Sequence, residues 1–499
     1  MANDEFPLRV GSDAAFAAVR KWFEWTGFTE DAVKEHFEIP HLHHLLYAYG
    51  LQREFLEKKY QARGITVFQA RTFIGGYADT AENFATYMGV DNLGAFFELG
   101  LLVEEEYDRY SCPVLLYPAM GFWVTADRGL RPDGTGYRGK DYVMSGTEFL
   151  CRQYVDTVST APCKAFLDMG SGSGLAALVG TRFAARSFGI DITHRAVQFA
   201  DFNKHLNGCQ NLTFLEGDMF APVHGMHFDR IACNPPFEPP LKEGMIFSVG
   251  GADGEAILAR LIAEVPQYLE PGGRLYCQVS GTDREGDPFD VRLRRWLGAA
   301  AEECDTAVFI RVGLKPNEYA IQQILGENQD SWKLQEWLLF YQKLKAEQVI
   351  LGHCIVQKRA SADRPTFHIR RTFGERTGLK EMEWLVDWET RVASPGFAEW
   401  AMASRPMARE GWEAIVCHEM TNGKLEARSF EFVQTHPFDA RLPAASWMVM
   451  VASRSDGSFR ASEHFDFLKG KVEVTEADFL AGLVEMVRAG VLVLEGRQG

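Results

Sequence analysis

Asn234-Pro235-Pro236-Phe237 is the stretch of the chain richest in chemistry. Two successive prolines remove two N–H donors and stiffen the backbone. The Asn234 side chain and the Pro235 carbonyl can then present hydrogen-bond acceptors in a fixed geometry. Such a pair suits the NH₂ of an amide or of an exocyclic base amine, and the Phe237 ring offers a flat face to a planar group. Upstream, Asp168-Met169-Gly170-Ser171-Gly172-Ser173-Gly174 follows the apolar run Ala165-Phe166-Leu167 and opens onto helix-like Leu175 to Ala185. Strand, glycine turn and helix in that order bring backbone close to a ligand and aim unpaired N–H groups at it. A second strand, Arg186 to Ile190, ends in Asp191, 23 positions after Asp168. A carboxylate at that strand tip can accept hydrogen bonds from ribose hydroxyls. A third strand, Asn211 to Leu215, delivers Gly217-Asp218, and a fourth, Asp229 to Cys233, ends on Asn234.

The glycine turn and Asp191 alone leave dehydrogenase and methyltransferase readings open. An Asn-Pro-Pro-Phe strand end has no role in hydride transfer, and with it the segment resembles the class I S-adenosylmethionine-dependent methyltransferases that act on planar nitrogens. Release-factor glutamine methyltransferases and RNA base N-methyltransferases are the similar groups. The resemblance covers roughly residues 140 to 372. It implies an α/β fold with a doubly wound, seven-stranded, mostly parallel sheet whose final hairpin is antiparallel, and S-adenosyl-L-methionine as cofactor. It also implies roles by position. Asp168, Gly170, Gly172 and Gly174 would hold the methionine end of the cofactor, and Asp191 the ribose. Asp218 would bind the adenine amine, with Met219 or Phe220 beside the ring and Ile192 on its other face. Asn234, Pro235 and Phe237 would carry the transfer, Asn234 bordering the cofactor as well.

Three acceptors compete: a glutamine amide in a protein, an exocyclic amine of an RNA or DNA base, and a small-molecule nitrogen. Thr147-Glu148 and Val249-Gly250-Gly251-Ala252-Asp253-Gly254 resemble segments of the glutamine enzymes, although their Pro-Arg lead-in is missing. Phe237, where those enzymes carry Tyr, looks more like the RNA adenine and guanine enzymes. Lys140, Arg292, Arg294, Arg295, Arg370 and Arg371 could line a backbone track for nucleic acid, although arginines on solvated faces are the commoner explanation. The net charge of −16 disfavours non-specific nucleic-acid binding, and the balance leans slightly to a protein or peptide. The reading from another class is a catalytically silent scaffold, which would not need intact Asp168, Asp191, Asp218 and Asn234.

The elements around this segment set the domain plan. At 499 residues the chain exceeds the about 250–300 residues of a single core. Three regions are expected: a helical, winged-helix-like accessory domain at 1–139, the methyltransferase domain at 140–372 and an α+β accessory domain at 373–499. In the first, Ala14 to Phe23 has helical spacing, Thr29-Glu30-Asp31 starts a short helix and Pro40 leads into a helix from His41 to Ala62. Asp79 to Glu82 reads as a capping box, Asn92 to Leu99 as a helix, and Leu101 to Val103 and Pro113 to Val124 as strands. Asp127 to Lys140 reads as a linker or hairpin. Beyond the motif, Glu255 to Leu269 reads as a helix, Pro271-Gly272-Gly273 as a turn and Arg274 to Val279 as a strand. Phe289 to Ala301 and Trp332 to Glu347 read as helices, and Thr306 to Val312, Val349 to Gln357 and Thr366 to Arg371 as strands. In the last third, Trp384 to Arg391 and Gly396 to Ala403 read as helices, and Ala427 to Val433 and Ser446 to Ala452 as strands. Thr475 to Ala489 is expected to be a helix running into a strand.

His41, His43 and His44 crowd one turn, but no converging set of further ligands accompanies them, so no metal is expected. Nine cysteines without a C-x-x-C read as reduced thiols. No apolar run approaches the ~20 residues of a membrane helix, and the first residues do not read as a secretory signal. A cytoplasmic enzyme is the expectation, and nothing in the pattern sets its oligomeric state.

Overall fold

The computed structural model describes residues 6–42, 44–45, 63–129, 131–132, 134, 136–137, 139–146, 149–239, 241, 245–326 and 333–495. Ser12 caps the first helix, its hydroxyl accepting the Ala15 N–H, and Gly27 closes it at φ 67°. Between them α1 (Asp13–Thr26) buries Phe16, Val19, Trp22 and Phe23, the spacing of one helical face. Thr29 caps α2 (Glu30–Phe37) in the same way. Most of the helix expected from His41 to Ala62, His43 included, lies outside the described residues, as do Thr147 and Glu148.

Further along come α3 (Ile65–Gln69), β1 (Asp79–Thr80), α4 (Ala81–Met88) and α5 (Val90–Glu98). The rings of Trp22 and Phe23 meet those of Phe73 and Phe96 edge-on, with centroids 5.4 to 6.1 Å apart. That aromatic core holds the helices together. β2 (Val103–Glu105) and β3 (Arg109–Ser111) join β1 in a three-stranded sheet of order β1-β3-β2, while β4 (Leu115–Ala119) and β5 (Phe122–Ala126) form a hairpin.

The strands that matter for chemistry follow. After α6 (Phe149–Asp156) run β6 (Cys163–Met169), α7 (Leu175–Gly180), β7 (Ala184–Asp191), α8 (His194–Leu206), β8 (Leu212–Glu216) and β9 (Phe228–Cys233). They are followed by α9 (Ala256–Glu264) and β10 (Leu269–Arg284). The strand order is β10-β9-β6-β7-β8, and every neighbouring pair is parallel. Ala165 to Met169 are all buried, as expected of a parallel strand covered on both faces. Met169 stands opposite Ile190 on one side and Cys233 on the other. The turns after β6, β7 and β9 therefore emerge together at the carboxyl end of the sheet, where open α/β sheets bind ligands.

By its internal contacts the chain divides into two compact units, Met1–Gln278 and Val279–Gly499. Strands β6 to β9 and their crossovers belong to the first, as does β10 up to Gln278. Asp127 and Arg128, in the stretch expected to be a linker, are buried there. The Pro271-Gly272-Gly273 turn is not a break: β10 runs through it as an irregularity in its pairing with β9, with Gly272 at φ 82°.

In the second unit β11 (Cys304–Leu314) pairs antiparallel with β12 (Ala346–Lys358), the expected hairpin, and parallel with β13 (His368–Phe373). A helix not foreseen, Pro316–Gly326, interrupts that hairpin. Arg405–Ala408, Glu413–Thr421 and Phe438–Ala444 are further strands that the sequence pattern does not announce. Ser446–Arg454 is a helix rather than the expected strand. Its run of Trp, Met and Val fits either periodicity. The buried set Trp447, Met448, Val451 and Ala452 repeats at helical spacing, and packing decides in favour of the helix. Glu476–Arg488 then Leu492–Glu495 give the expected terminal helix and strand.

Candidate functional site

The glycine turn after β6 is built on backbone bonds to the neighbouring strand. Gly170 and Ser171 both donate to the Ile190 carbonyl, at 2.8 and 2.9 Å, and Gly174 donates to Ser171 at 2.7 Å. Gly170, Gly172 and Gly174 have φ of 71°, 53° and 84°, values that favour glycine. A Cβ at Gly170 or Gly172 would meet nothing within 4 Å, so these two border open space. At Gly174 it would stand 2.6 Å from the Phe214 ring, so that glycine is required by packing as well.

The turn is tied to the front of the chain through α8. Asn203, fully buried, accepts from the Thr125 N–H and hydroxyl and donates to the carbonyls of Thr125 and Ser173. The β5 hairpin strand thereby holds the inner side of the glycine turn. Next to it Arg195 grips Asp127 with two bonds of 2.6 and 2.9 Å, both side chains buried. Asp127 in turn accepts the Val143 N–H at 2.9 Å and so fixes residues 141–146 over the sheet end.

Together these elements enclose a cavity of about 290 Å³. Asp168, Gly170, Gly172, Asp191, Ile192, Asp218, Met219, Asn234 and Pro235 all line it. Of the residues singled out from the sequence for the site, Gly174, Phe220 and Phe237 lie outside the lining, Phe220 being buried against the Tyr268 ring. Gly174 starts α7 behind the turn. The backbone of Phe237 is closely approached by Gly250 and Gly254 of the Gly-Gly-x-Asp-Gly loop.

Asp168 is 1% exposed. It accepts the Tyr154 hydroxyl at 2.6 Å and the Ala177 N–H at 3.2 Å. Burial pushes its carboxyl up to about 7, with the Asp191 charge adding to the effect and the two donors opposing it. The Tyr154 hydroxyl is raised far above its ordinary range, by burial first and by the Asp168 charge next.

Asp191 accepts the Gly172 N–H at 2.9 Å and, on its other oxygen, the Thr193 N–H and hydroxyl at 3.0 and 3.1 Å. Asp218 is half exposed, and one Arg260 nitrogen contacts both of its oxygens at 2.9 and 2.7 Å. Met219, at φ 51°, turns the chain beside it. Ile192 is 57% exposed at the rim.

Two oxygens of the lining residues stand out. Asn234 Oδ1 and Ser171 Oγ are buried without a hydrogen-bond partner among the described residues. A buried acceptor left unpaired costs ~1–3 kcal/mol, so these atoms are set for a ligand's donors. The open space beside Gly170 and Gly172, the acid at each strand tip and these unpaired oxygens fit a nucleoside carrying an amino-acid tail. Sequence reasoning missed Tyr142, Tyr154, Ile246 and Phe247 in the lining. The only local signal for Tyr154 was its helix ahead of the glycine turn.

Comparison with known proteins gives a family profile, Methyltransferase small domain, matching residues 136–281. A protein of Methanocaldococcus jannaschii, provisionally named a protein N5-glutamine methyltransferase, is 39% identical over 146 residues, 28% of this chain and 72% of that protein. The release factor glutamine methyltransferase of Yersinia pestis is 36% identical over 141 residues, 26% of this chain and 50% of that protein. The ribosomal protein uL3 glutamine methyltransferase of Bradyrhizobium diazoefficiens is 33% identical over 151 residues, 28% and 47% of the respective chains. The chain spans about half the length of the last two relatives.

Proposed function

Because the chain belongs to the class I S-adenosylmethionine-dependent N-methyltransferases, we propose that it methylates the side-chain amide nitrogen of a protein. The observation that carries this reading is Asn234 Oδ1, buried, unpaired among the described residues and part of the cavity lining. An amide nitrogen is a poor nucleophile because its lone pair is delocalised into the carbonyl. Asn234 Oδ1 and the Pro235 carbonyl accept the two amide hydrogens and turn the nitrogen so that electron density faces the methyl group. S-adenosylmethionine, when bound, supplies the methyl group together with its own leaving group. What remains for the protein is position and electrostatics. Asp168 and Ser171 hold the methionine end, Asp191 the ribose, and Asp218, with Met219 and Ile192, the adenine. No strong base is required ahead of attack, since the nitrogen's proton becomes acidic only as the new bond forms.

Protein is favoured over nucleic acid as acceptor by the names of the relatives and by the state of the arginines. Arg370 gives its donors to Asp283 and Asp290, and Arg295 pairs with Asp287. Arg294 bonds backbone carbonyls and the Thr366 hydroxyl, and Arg292 is buried. The arginines that a phosphate track would need are thus largely paired within the protein. On this reading residues 140–372 carry the reaction, the winged-helix-like front at 1–139 shapes the acceptor side, and the α+β region 373–499 contributes to partner choice. Among the described residues no helix is long and apolar enough to cross a membrane, and a cytoplasmic setting suits the proposed substrate.

The test uses methyl-labelled S-adenosylmethionine and fractionated cell lysate, with label followed into protein, nucleic acid and small molecules. Label in protein that disappears with Asn234→Ala is the expected result. Label in RNA or DNA instead would overturn the amide assignment.

A further inference from the structure

The ring expected to flank the acceptor, Phe237, is not in the cavity lining, and another phenylalanine is. Phe247 lines the cavity with Ile246, Asn234, Pro235 and Pro236. It remains 39% exposed, and Ile246 beside it 47%. That exposure leaves one side of the ring open at the mouth of the cavity, where a ligand's apolar part can meet it. Its placement is built. The Glu238 N–H donates to the Ser248 carbonyl at 2.7 Å, and the Gly250 N–H donates back to the Glu238 carbonyl at 2.9 Å. These two bonds hang the segment 245–249 directly from the end of the Asn-Pro-Pro-Phe motif. On the other side the Ile246 N–H donates to the Lys140 carbonyl at 2.9 Å. The Tyr142 ring lies 6.4 Å from the Phe247 ring at 45°. Two loops from different parts of the sequence therefore meet in an aromatic lip over the cavity that holds the unpaired Asn234 Oδ1.

We infer that Phe247, backed by Tyr142, is the specificity-determining residue for the acceptor, stacking against the aliphatic stem of the amide side chain whose NH₂ reaches Asn234. This rests on the protein-amide reading above. A glutamine side chain has a polar end and a stem of two methylenes, which is what a cavity polar at its floor and apolar at its mouth selects. The ring acts on binding and takes no part in the displacement. It excludes water along the stem and leaves the nitrogen to Asn234 and Pro235.

The experiment measures initial rates with the full chain, using as probe the protein fraction that the wild type labels, at varied concentration. S-adenosylmethionine affinity is measured in parallel by calorimetry. Loss of contact with two methylenes corresponds to roughly tenfold in acceptor KM. Phe247→Ala is expected to raise that KM by this factor with kcat and cofactor affinity unchanged, and Phe247→Leu to restore most of it. An unchanged KM, or a fall in kcat at constant KM, would overturn the inference while the amide reading stands on the Asn234→Ala result. Weakened cofactor binding in both variants would make Phe247 a part of the fold and also overturn it. If the wild type labels nucleic acid and no protein, the amide reading fails first and this inference with it.

Discussion

Asp168 gives the clearest quantitative handle on the site. Its carboxyl sits near 7 in the folded chain against an ordinary 3.8, so between those values the folded state binds a proton that the unfolded state has released. Stability contributed by this group is therefore fullest below about pH 4 and is lost as pH rises towards 7. The gap corresponds to roughly 4 kcal/mol at ~1.36 kcal/mol for each tenfold change in proton activity. Asp168→Asn removes the charge and keeps the shape. The amide can accept from Tyr154 or from the Ala177 N–H but not from both, and this costs ~1–3 kcal/mol independently of pH. The difference in urea-unfolding stability between wild type and variant cancels every other titrating group. It should shift in favour of the variant by about 2–4 kcal/mol between pH 4.5 and pH 8. In calorimetry at pH 7 in two buffers of different ionisation enthalpy, wild type should release about half a proton on binding the cationic cofactor, and the variant none. A stability difference flat across that range, or one moving the other way, would refute the burial argument for Asp168.

The other expectations can be stated briefly. Asn234→Ala should lower kcat by about 10²- to 10³-fold, in the range of removing one transition-state hydrogen-bond partner, and should lower cofactor affinity in calorimetry far less. Gly174→Ala combines a φ of 84° with a Cβ pushed against Phe214, and should cost roughly 2–4 kcal/mol in denaturant unfolding. Asp127→Ala leaves the buried Arg195 without its carboxylate. It should destabilise the chain by about 3–5 kcal/mol and also weaken cofactor binding, because the Val143 N–H loses its anchor.

The parts of the fold legible in the sequence are those governed by local rules. Thr29 starts its helix as its residue type announces, whereas the cap expected at Asp79 falls one residue later, on Thr80, whose hydroxyl accepts the Asn83 N–H. The buried parallel strands show as short apolar runs, and three of the five, β6, β7 and β9, finish at or next to a polar residue of the cavity lining: Asp168, Asp191 and Asn234. That is why the cavity floor is legible in the order of residue types alone. Register then does the rest, since parallel neighbours necessarily bring their carboxyl ends to one edge. Periodicity fails where a segment is apolar on every side, as in Ser446–Arg454, because only its packing partners distinguish helix from strand.

The walls of the cavity are illegible for a different reason. Tyr154 reaches Asp168, Asp127 reaches Val143 and Arg195, and Tyr142 comes to Phe247, each across a separation that no short pattern covers. A short motif records groups that face one ligand from one turn. A wall is assembled from loops whose mutual position is set by buried polar anchors, here Asn203 and the Asp127–Arg195 pair. Phe237 shows the consequence: its place in the motif marks it as the stacking ring. Its backbone is closely approached by Gly250 and Gly254, and the loop that carries Phe247 is tied to the next residue, Glu238, by two backbone bonds. The motif thus positions two things at once, the Asn234 acceptor directly and the aromatic lip through its next residues.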